Sequence, residues 1–185
     1  LDLKAINESY EPELSDSMMR AMQSGRYLLG VENKAFEQEW SNYIGATNTV
    51  LCANGLDALT LILRAYKILR GWHDGDEVIV PANTYIASIL AIREAGLKPV
   101  LVEPDIRDYN IHLKECQTAL TEKTRAIMVV HLYGRVCCDI DNIMTMAEEN
   151  NLVVIEDAAQ AHGAQWQGRR AGRLGDAAGF SFYPG

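Results

Sequence analysis

The chain has 185 residues, of which 48% are hydrophobic, so it is long enough to bury one good core and to form one domain or most of one. Its 17 basic and 25 acidic residues give a net charge of -8, which argues against an electrostatic surface for nucleic acid or membrane. Its apolar runs are shorter than the roughly 20 residues that a membrane span requires, and we expect a soluble, cytoplasmic protein.

Short apolar runs alternate with longer helical patterns, which favours a mostly parallel sheet with helices on both faces. The predicted helices are Pro12–Ser24, Asn33–Tyr43, Leu56–Leu69, Ile86–Ala95, Leu113–Leu120 and Ile140–Asn150. The predicted strands are Thr49–Cys52, Glu77–Val80, Pro99–Glu103, Ala126–Val130, Leu152–Glu156 and Ala178–Phe182. No linker interrupts them, and we expect residues 1–185 to be one domain that is incomplete at its C-terminal end.

The carboxyl ends of parallel strands meet at one edge of a sheet, where ligands of open α/β folds bind. Five unusual segments follow predicted strands and should meet there: Asn54-Gly55, Pro81–Tyr85, His131–Gly134, Asp157–His162 and Tyr183–Gly185.

The segment from Asn54 to Ala58 leaves a predicted strand and opens a helix, so backbone N–H groups and the positive end of the helix dipole are available to a phosphate. A turn and a helix cap are the structural alternative. The chain has neither a G-x-x-x-x-G-K-[ST] loop nor a strand-linked G-x-G-x-x-G, which argues against nucleoside triphosphate and nicotinamide sites.

Asp157 ends an apolar strand, where a carboxylate would pair with a ring nitrogen of a bound heterocycle and keep it protonated. Gln160 would hydrogen-bond a substituent of the same ring. The alternative for Asp157 is a cap of the next helix.

Tyr85 would stack on the face of that ring, unless it is packed in the core. Ser181 would share the phosphate with Gly55. His131 and His162 also follow strands, and structural hydrogen bonding is the alternative to a role as a catalytic base.

The four cysteines Cys52, Cys116, Cys137 and Cys138 lack C-x-x-C spacing. Neither a zinc site nor a disulfide framework is indicated. We therefore predict no metal.

Taken together, these motifs resemble the pyridoxal phosphate (PLP)-dependent sugar aminotransferases of the DegT/DnrJ/EryC1/StrS family along nearly the whole chain. The residues that carry the resemblance are Gly25–Gly30, Phe36-Glu37, Asn54–Leu59, Gly75–Pro81, Glu156–Gly163 and Gly175–Phe182.

The resemblance implies fold type I, with a smaller C-terminal domain that this chain lacks, and a homodimer whose active sites lie at the subunit interface. It implies that the Gly55-Leu56-Asp57 motif and Ser181 bind the PLP phosphate, while Tyr85 stacks on the ring. Asp157 would pair with the ring nitrogen and Gln160 with the ring hydroxyl. The lysine that holds the cofactor is expected directly after Gly185.

The family implies glutamate as amino donor and a nucleotide-linked keto sugar as acceptor. The motifs Asn54–Leu59, Pro81–Ala87 and Val102–Asp105 look most like members that aminate C3 of dTDP-3-oxo-6-deoxyhexoses. The alternatives are amination at C4, a deoxysugar dehydratase in which histidine replaces the lysine, and a regulatory protein that has lost the chemistry.

Overall fold

The computed structural model describes residues 2–182, which fall into two compact units. One comprises residues 2–43 and 47–51, and the other comprises residues 44–46 and 52–182. The expectation of a single incomplete domain stays a prediction.

The first unit is helical and carries α1 (Leu3–Glu8), α2 (Glu13–Ser24) and nearly all of α3 (Val31–Ile44). Asp2 caps α1 by accepting a hydrogen bond from Ala5 N, and α2 ends at Gly25, whose φ of 63° is accessible to glycine. The pattern that predicted α2 and α3 is confirmed. The short helix α1 was not predicted.

The predicted strand Thr49–Cys52 is wrong. Among residues 2–182 no strand pairs with it. Side chains of α3 hold this segment instead: the Glu37 carboxylate accepts from Leu51 N at 2.9 Å, and the Ser41 hydroxyl donates to the Thr49 side chain at 2.8 Å. The run of apolar residues fitted a strand, yet Val50 is 81% exposed.

The second unit is built on a five-stranded parallel sheet in the order β2-β1-β3-β4-β7. Its strands are β1 (Glu77–Pro81), β2 (Lys98–Val102), β3 (Thr124–Val130), β4 (Val153–Asp157) and β7 (Ala177–Gly179). These five strands were predicted, although β7 is shorter than the expected Ala178–Phe182. Two short strands, β5 (Gln165–Trp166) and β6 (Arg169–Arg170), form a separate hairpin that was not predicted.

Successive residues of the strands are buried on opposite faces of the sheet, as the period of two requires. Ile79 and Ile127 belong to one core cluster with residues of α6 (Leu113–Ala119) and α7 (Ile140–Glu149). Val78 and Met128 belong to another with α4 (Gly55–Arg70) and α5 (Ile86–Glu94). Helices therefore cover both faces, which confirms the predicted fold class.

Within residues 2–182 we find no helix that combines the length and the apolar character needed to cross a bilayer.

Candidate cofactor site

Three of the five predicted segments lie at the carboxyl ends of β1, β3 and β4, and a fourth, Asn54-Gly55, begins α4 beside β7. Asp157 and Gly179, the last residues of β4 and β7, are partners in the sheet register. His131 N, just beyond β3, donates to Asp157 O at 3.0 Å. The fifth segment, Tyr183–Gly185, and the lysine expected after it lie outside the described residues.

Asp157 is 7% exposed, and its two carboxylate oxygens each accept one described hydrogen bond. Oδ2 accepts from the Ser88 hydroxyl at 2.6 Å, and Oδ1 accepts from Ala159 N at 3.2 Å. A carboxylate has about four lone-pair sites. The Asp157 carboxylate therefore has lone pairs left to accept a hydrogen bond from a further donor at the sheet edge.

Glu156 precedes Asp157 and faces the opposite way along β4. It is fully buried, and it accepts from His131 Nε2 at 2.8 Å and from the N–H groups of Gly172, Leu174 and Gly175 at 2.7 Å each. Burial by itself raises the pKa of this carboxyl group, but the hydrogen bond and charge of His131, with the Gly172 and Gly175 N–H groups, outweigh it and lower the pKa below its usual value. His131 is equally buried, so its contacts are those of a structural histidine.

Gly55 opens α4 against the segment that follows β7. A Cβ atom added to Gly55 would lie 2.9 Å from Ser181 Cβ and 3.4 Å from Ser181 Oγ. Because real Cβ atoms do not come that close, the position requires glycine for close approach. The helix start and Ser181 are therefore adjacent, as the phosphate hypothesis requires.

The start of α4 also carries the cap that the structural alternative predicted. Asn54 Oδ1 accepts from Asp57 N at 2.9 Å, and Asn54 Nδ2 donates to the Asp57 carboxylate at 3.2 Å. The Asp57 N–H group is thus engaged within the cap. Gly55 and Leu56, as the first two helical residues, have N–H groups without partners inside the helix.

Tyr85 is 73% exposed and directly precedes α5, which excludes the packed core tyrosine that was the alternative. Gln160 is also exposed, and its Oε1 accepts from Tyr133 N at 2.8 Å. This hydrogen bond restricts the rotation of the Gln160 side-chain amide.

His162 is exposed, and its ring forms a tilted contact with Phe180 and an edge contact with Phe182. Desolvation lowers the pKa of this histidine, against the opposing effect of a hydrogen bond that its ring donates to the Ser181 backbone. Its contacts with the segment after β7 are those of a packing residue.

A cluster of possible metal ligands lies in the segments that follow β2 and β3. Asp108, His112 and Cys138 each offer a ligand atom within 4.8 Å of the others. These atoms already contact one another, since His112 Nε2 lies 3.1 Å from both Asp108 oxygens and Cys138 Sγ donates to Asp108 Oδ2 at 3.4 Å. His112 Nδ1 lies 3.3 Å from Asp139.

The residue that sequence reasoning missed is Ser88. It lies in the first turn of α5, and serine at an interior helical position carries no motif of its own. The available signal was its spacing of three residues after Tyr85, which places it on the helix turn nearest the sheet edge.

The model of the DegT/DnrJ/EryC1/StrS aminotransferase family matches residues 9–185. The chain is 57% identical over 182 residues to dTDP-3-amino-3,6-dideoxy-alpha-D-galactopyranose transaminase of Aneurinibacillus thermoaerophilus, covering 98% of this chain and 49% of that protein. It is 45% identical over 185 residues to dTDP-3-amino-3,4,6-trideoxy-alpha-D-glucose transaminase of Streptomyces venezuelae, covering 100% of this chain and 48% of that protein.

Among solved structures, the S. venezuelae DesV protein in complex with a ketimine intermediate matches with a TM-score of 0.90 and 44% identity. The match covers 99% of this chain and 48% of that one. The chain thus spans about half the length of the curated relatives it matches.

Proposed function

This chain belongs to the DegT/DnrJ/EryC1/StrS aminotransferase family, and from that premise we propose that the whole protein is a PLP-dependent sugar aminotransferase. It moves an amino group from glutamate to C3 of a dTDP-3-oxo-6-deoxyhexose. The single observation that carries the proposal is Asp157, a 7% exposed carboxylate at the sheet edge with capacity for one more donor. The two relatives, which are named as transaminases of dTDP-3-amino sugars, support the position on the sugar.

The residues of the edge fit PLP in size and chemistry. The close approach of Gly55 to Ser181 provides N–H groups of Gly55 and Leu56 and a hydroxyl for the phosphate. Asp57 supports this motif through its hydrogen bonds with Asn54.

Tyr85 and Gln160 would contact the ring of the cofactor. Tyr85 covers one face, and its high exposure leaves that face free for stacking. Gln160 hydrogen-bonds the ring hydroxyl through its amide nitrogen, since Tyr133 N already donates to its oxygen.

When bound, PLP supplies a pyridine ring that withdraws electrons from the carbon of the amino donor. Asp157 holds a proton at the ring nitrogen, because a carboxylate favours the charged form of its partner. The lysine that the family resemblance implies after Gly185 would hold the cofactor and would move the proton at the reacting carbon.

The whole protein acts in the cytoplasm as a homodimer with shared active sites. This part of the proposal rests on the family resemblance.

The test is to incubate the full-length protein with PLP, glutamate and a panel of dTDP-keto sugars, and to locate the new amine by NMR. We expect an amine at C3 of a 3-oxo-6-deoxyhexose. An amine at C4 would favour the alternative aminotransferase, and a dehydrated sugar without an amine would favour the lyase. Bound PLP without turnover of any sugar would favour a regulatory protein and contradict the proposal.

A further inference from the structure

Ser88 is the only described side chain that donates a hydroxyl group to Asp157 among residues 2–182. Ser88 is fully buried, its Oγ lies 2.6 Å from Asp157 Oδ2, and the bond itself is buried. A serine has one hydroxyl hydrogen, so that hydrogen is committed to the carboxylate.

Thr84 completes a short chain of hydroxyl groups. Its Oγ1 lies 2.7 Å from Ser88 Oγ, and either atom could donate. Since the hydrogen of Ser88 is committed to Asp157, Thr84 is the donor in this pair. The two dipoles then point the same way, from half-buried Thr84 through Ser88 to the carboxylate.

The direction of these bonds matters for the orientation of the Asp157 carboxylate. Hydrogen bonds to a charged acceptor are stronger than neutral ones. The second donor, Ala159 N, is longer at 3.2 Å and reaches the other oxygen. Ser88 and Ala159 together fix the rotation of the carboxylate about its terminal torsion, which is otherwise broad.

We propose that Ser88 is a positioning residue whose hydroxyl holds the Asp157 carboxylate oriented toward the ring nitrogen of the cofactor, with Thr84 as the second member of the relay. This inference rests on the proposed function. It adds a residue from α5 to a site otherwise formed by the segments after the strands and by the start of α4.

The experiment uses the full-length protein loaded with PLP that carries ¹⁵N in its ring, and follows the ring nitrogen by NMR as a function of pH. In the unmodified protein we expect a protonated nitrogen at neutral pH. In Ser88→Ala the carboxylate loses its buried donor and its fixed rotation, so the nitrogen should lose its proton at a pH lower by about one unit. Ser88→Thr, which keeps the hydroxyl, should restore the original titration.

Two further variants separate positioning from folding. Thr84→Val removes only the second hydroxyl and should give a shift in the same direction but smaller than that of Ser88→Ala. Ser41→Ala removes a buried serine that donates at 2.8 Å to Thr49, away from Asp157. We expect it to lower stability as a buried serine loss does, without moving the ring nitrogen titration.

The possible results separate the role of Ser88 from the proposed aminotransferase function on which it rests. Retained PLP with an unchanged titration in both Ser88→Ala and Thr84→Val would overturn the role of Ser88 and leave the aminotransferase proposal standing. Absence of bound PLP from the unmodified protein would overturn both.

Discussion

Glu156 and Asp157 are neighbouring carboxylates on β4, and their surroundings differ sharply. Glu156 is enclosed and accepts four hydrogen bonds, three from backbone N–H groups and one from His131. Asp157 ends the strand at the sheet edge and accepts two described hydrogen bonds.

The difference shows how one strand carries a saturated structural carboxylate beside a carboxylate that can still accept a donor. The lone pairs of Glu156 are fully used, so it fixes the backbone from Gly172 to Gly175 and has no capacity for a ligand. Asp157 retains that capacity because each of its oxygens accepts only one described hydrogen bond.

The largest effect is expected for Asp157→Asn. A neutral amide cannot keep the ring nitrogen protonated, so the rate of amination should fall by roughly a thousandfold or more, while the free energy of unfolding changes little. Steady-state kinetics with glutamate and the dTDP-keto sugar would measure it. Asp74→Asn is the matched control, since Asp74 precedes β1 at the opposite edge, and near-normal turnover in Asp157→Asn would refute the role.

Glu156→Gln tests the other side of the comparison. It weakens the hydrogen bond from His131 and places an amide N–H₂ against backbone N–H groups, which should lower the free energy of unfolding by about 2 to 3 kcal/mol. Denaturant unfolding would measure this loss of stability, with Glu148→Gln at an exposed position as the control. A loss within error of that control would mean that the buried network contributes nothing.

The same carboxylate predicts a pH dependence. The pKa of Glu156 is lower in the folded protein than its ordinary value of 4.5. A group of this kind contributes stability that is present above its unfolded-state pKa and is lost as the pH falls through the folded value. The free energy of unfolding should therefore decrease below about pH 4.5, and Glu156→Gln should decrease less steeply; equal slopes would contradict the assignment.

Gly55→Ala tests the proposed phosphate-binding end of the site. The added Cβ would lie 2.9 Å from Ser181 Cβ, so one of the two segments must shift. We expect PLP affinity to weaken by about 1 to 2 kcal/mol, measured by equilibrium dialysis. Gly168→Ala, at φ +79° in the hairpin turn with open space around it, should cost stability without changing PLP affinity.

Tyr85→Ala should have the smallest effect. Loss of stacking should weaken PLP retention by about 0.5 to 1.5 kcal/mol, and Tyr85→Phe should retain the affinity because it keeps the ring. Unchanged PLP affinity in Tyr85→Ala would reject stacking.

Much of this architecture was predictable from sequence because Val78–Val80, Ala126–Val130 and Val153–Ile155 are apolar runs that only a buried parallel strand accommodates. Thr49–Cys52 is a similar apolar run but has no partner strand among residues 2–182. Local composition does not determine which strands pair.

The site was predictable where a residue type has a chemical meaning of its own, as at Asp157. It was not predictable at Ser88, whose role depends on a contact with a residue 69 positions away. The saturation of Glu156 likewise depends on donors from a distant loop.

The most direct measurement is a crystal structure of the full-length protein with PLP bound. The account predicts the pyridine nitrogen within about 3 Å of an Asp157 carboxylate oxygen, with the phosphate at Gly55 and Ser181. A ring nitrogen that faces no carboxylate, or a phosphate bound elsewhere, would contradict it.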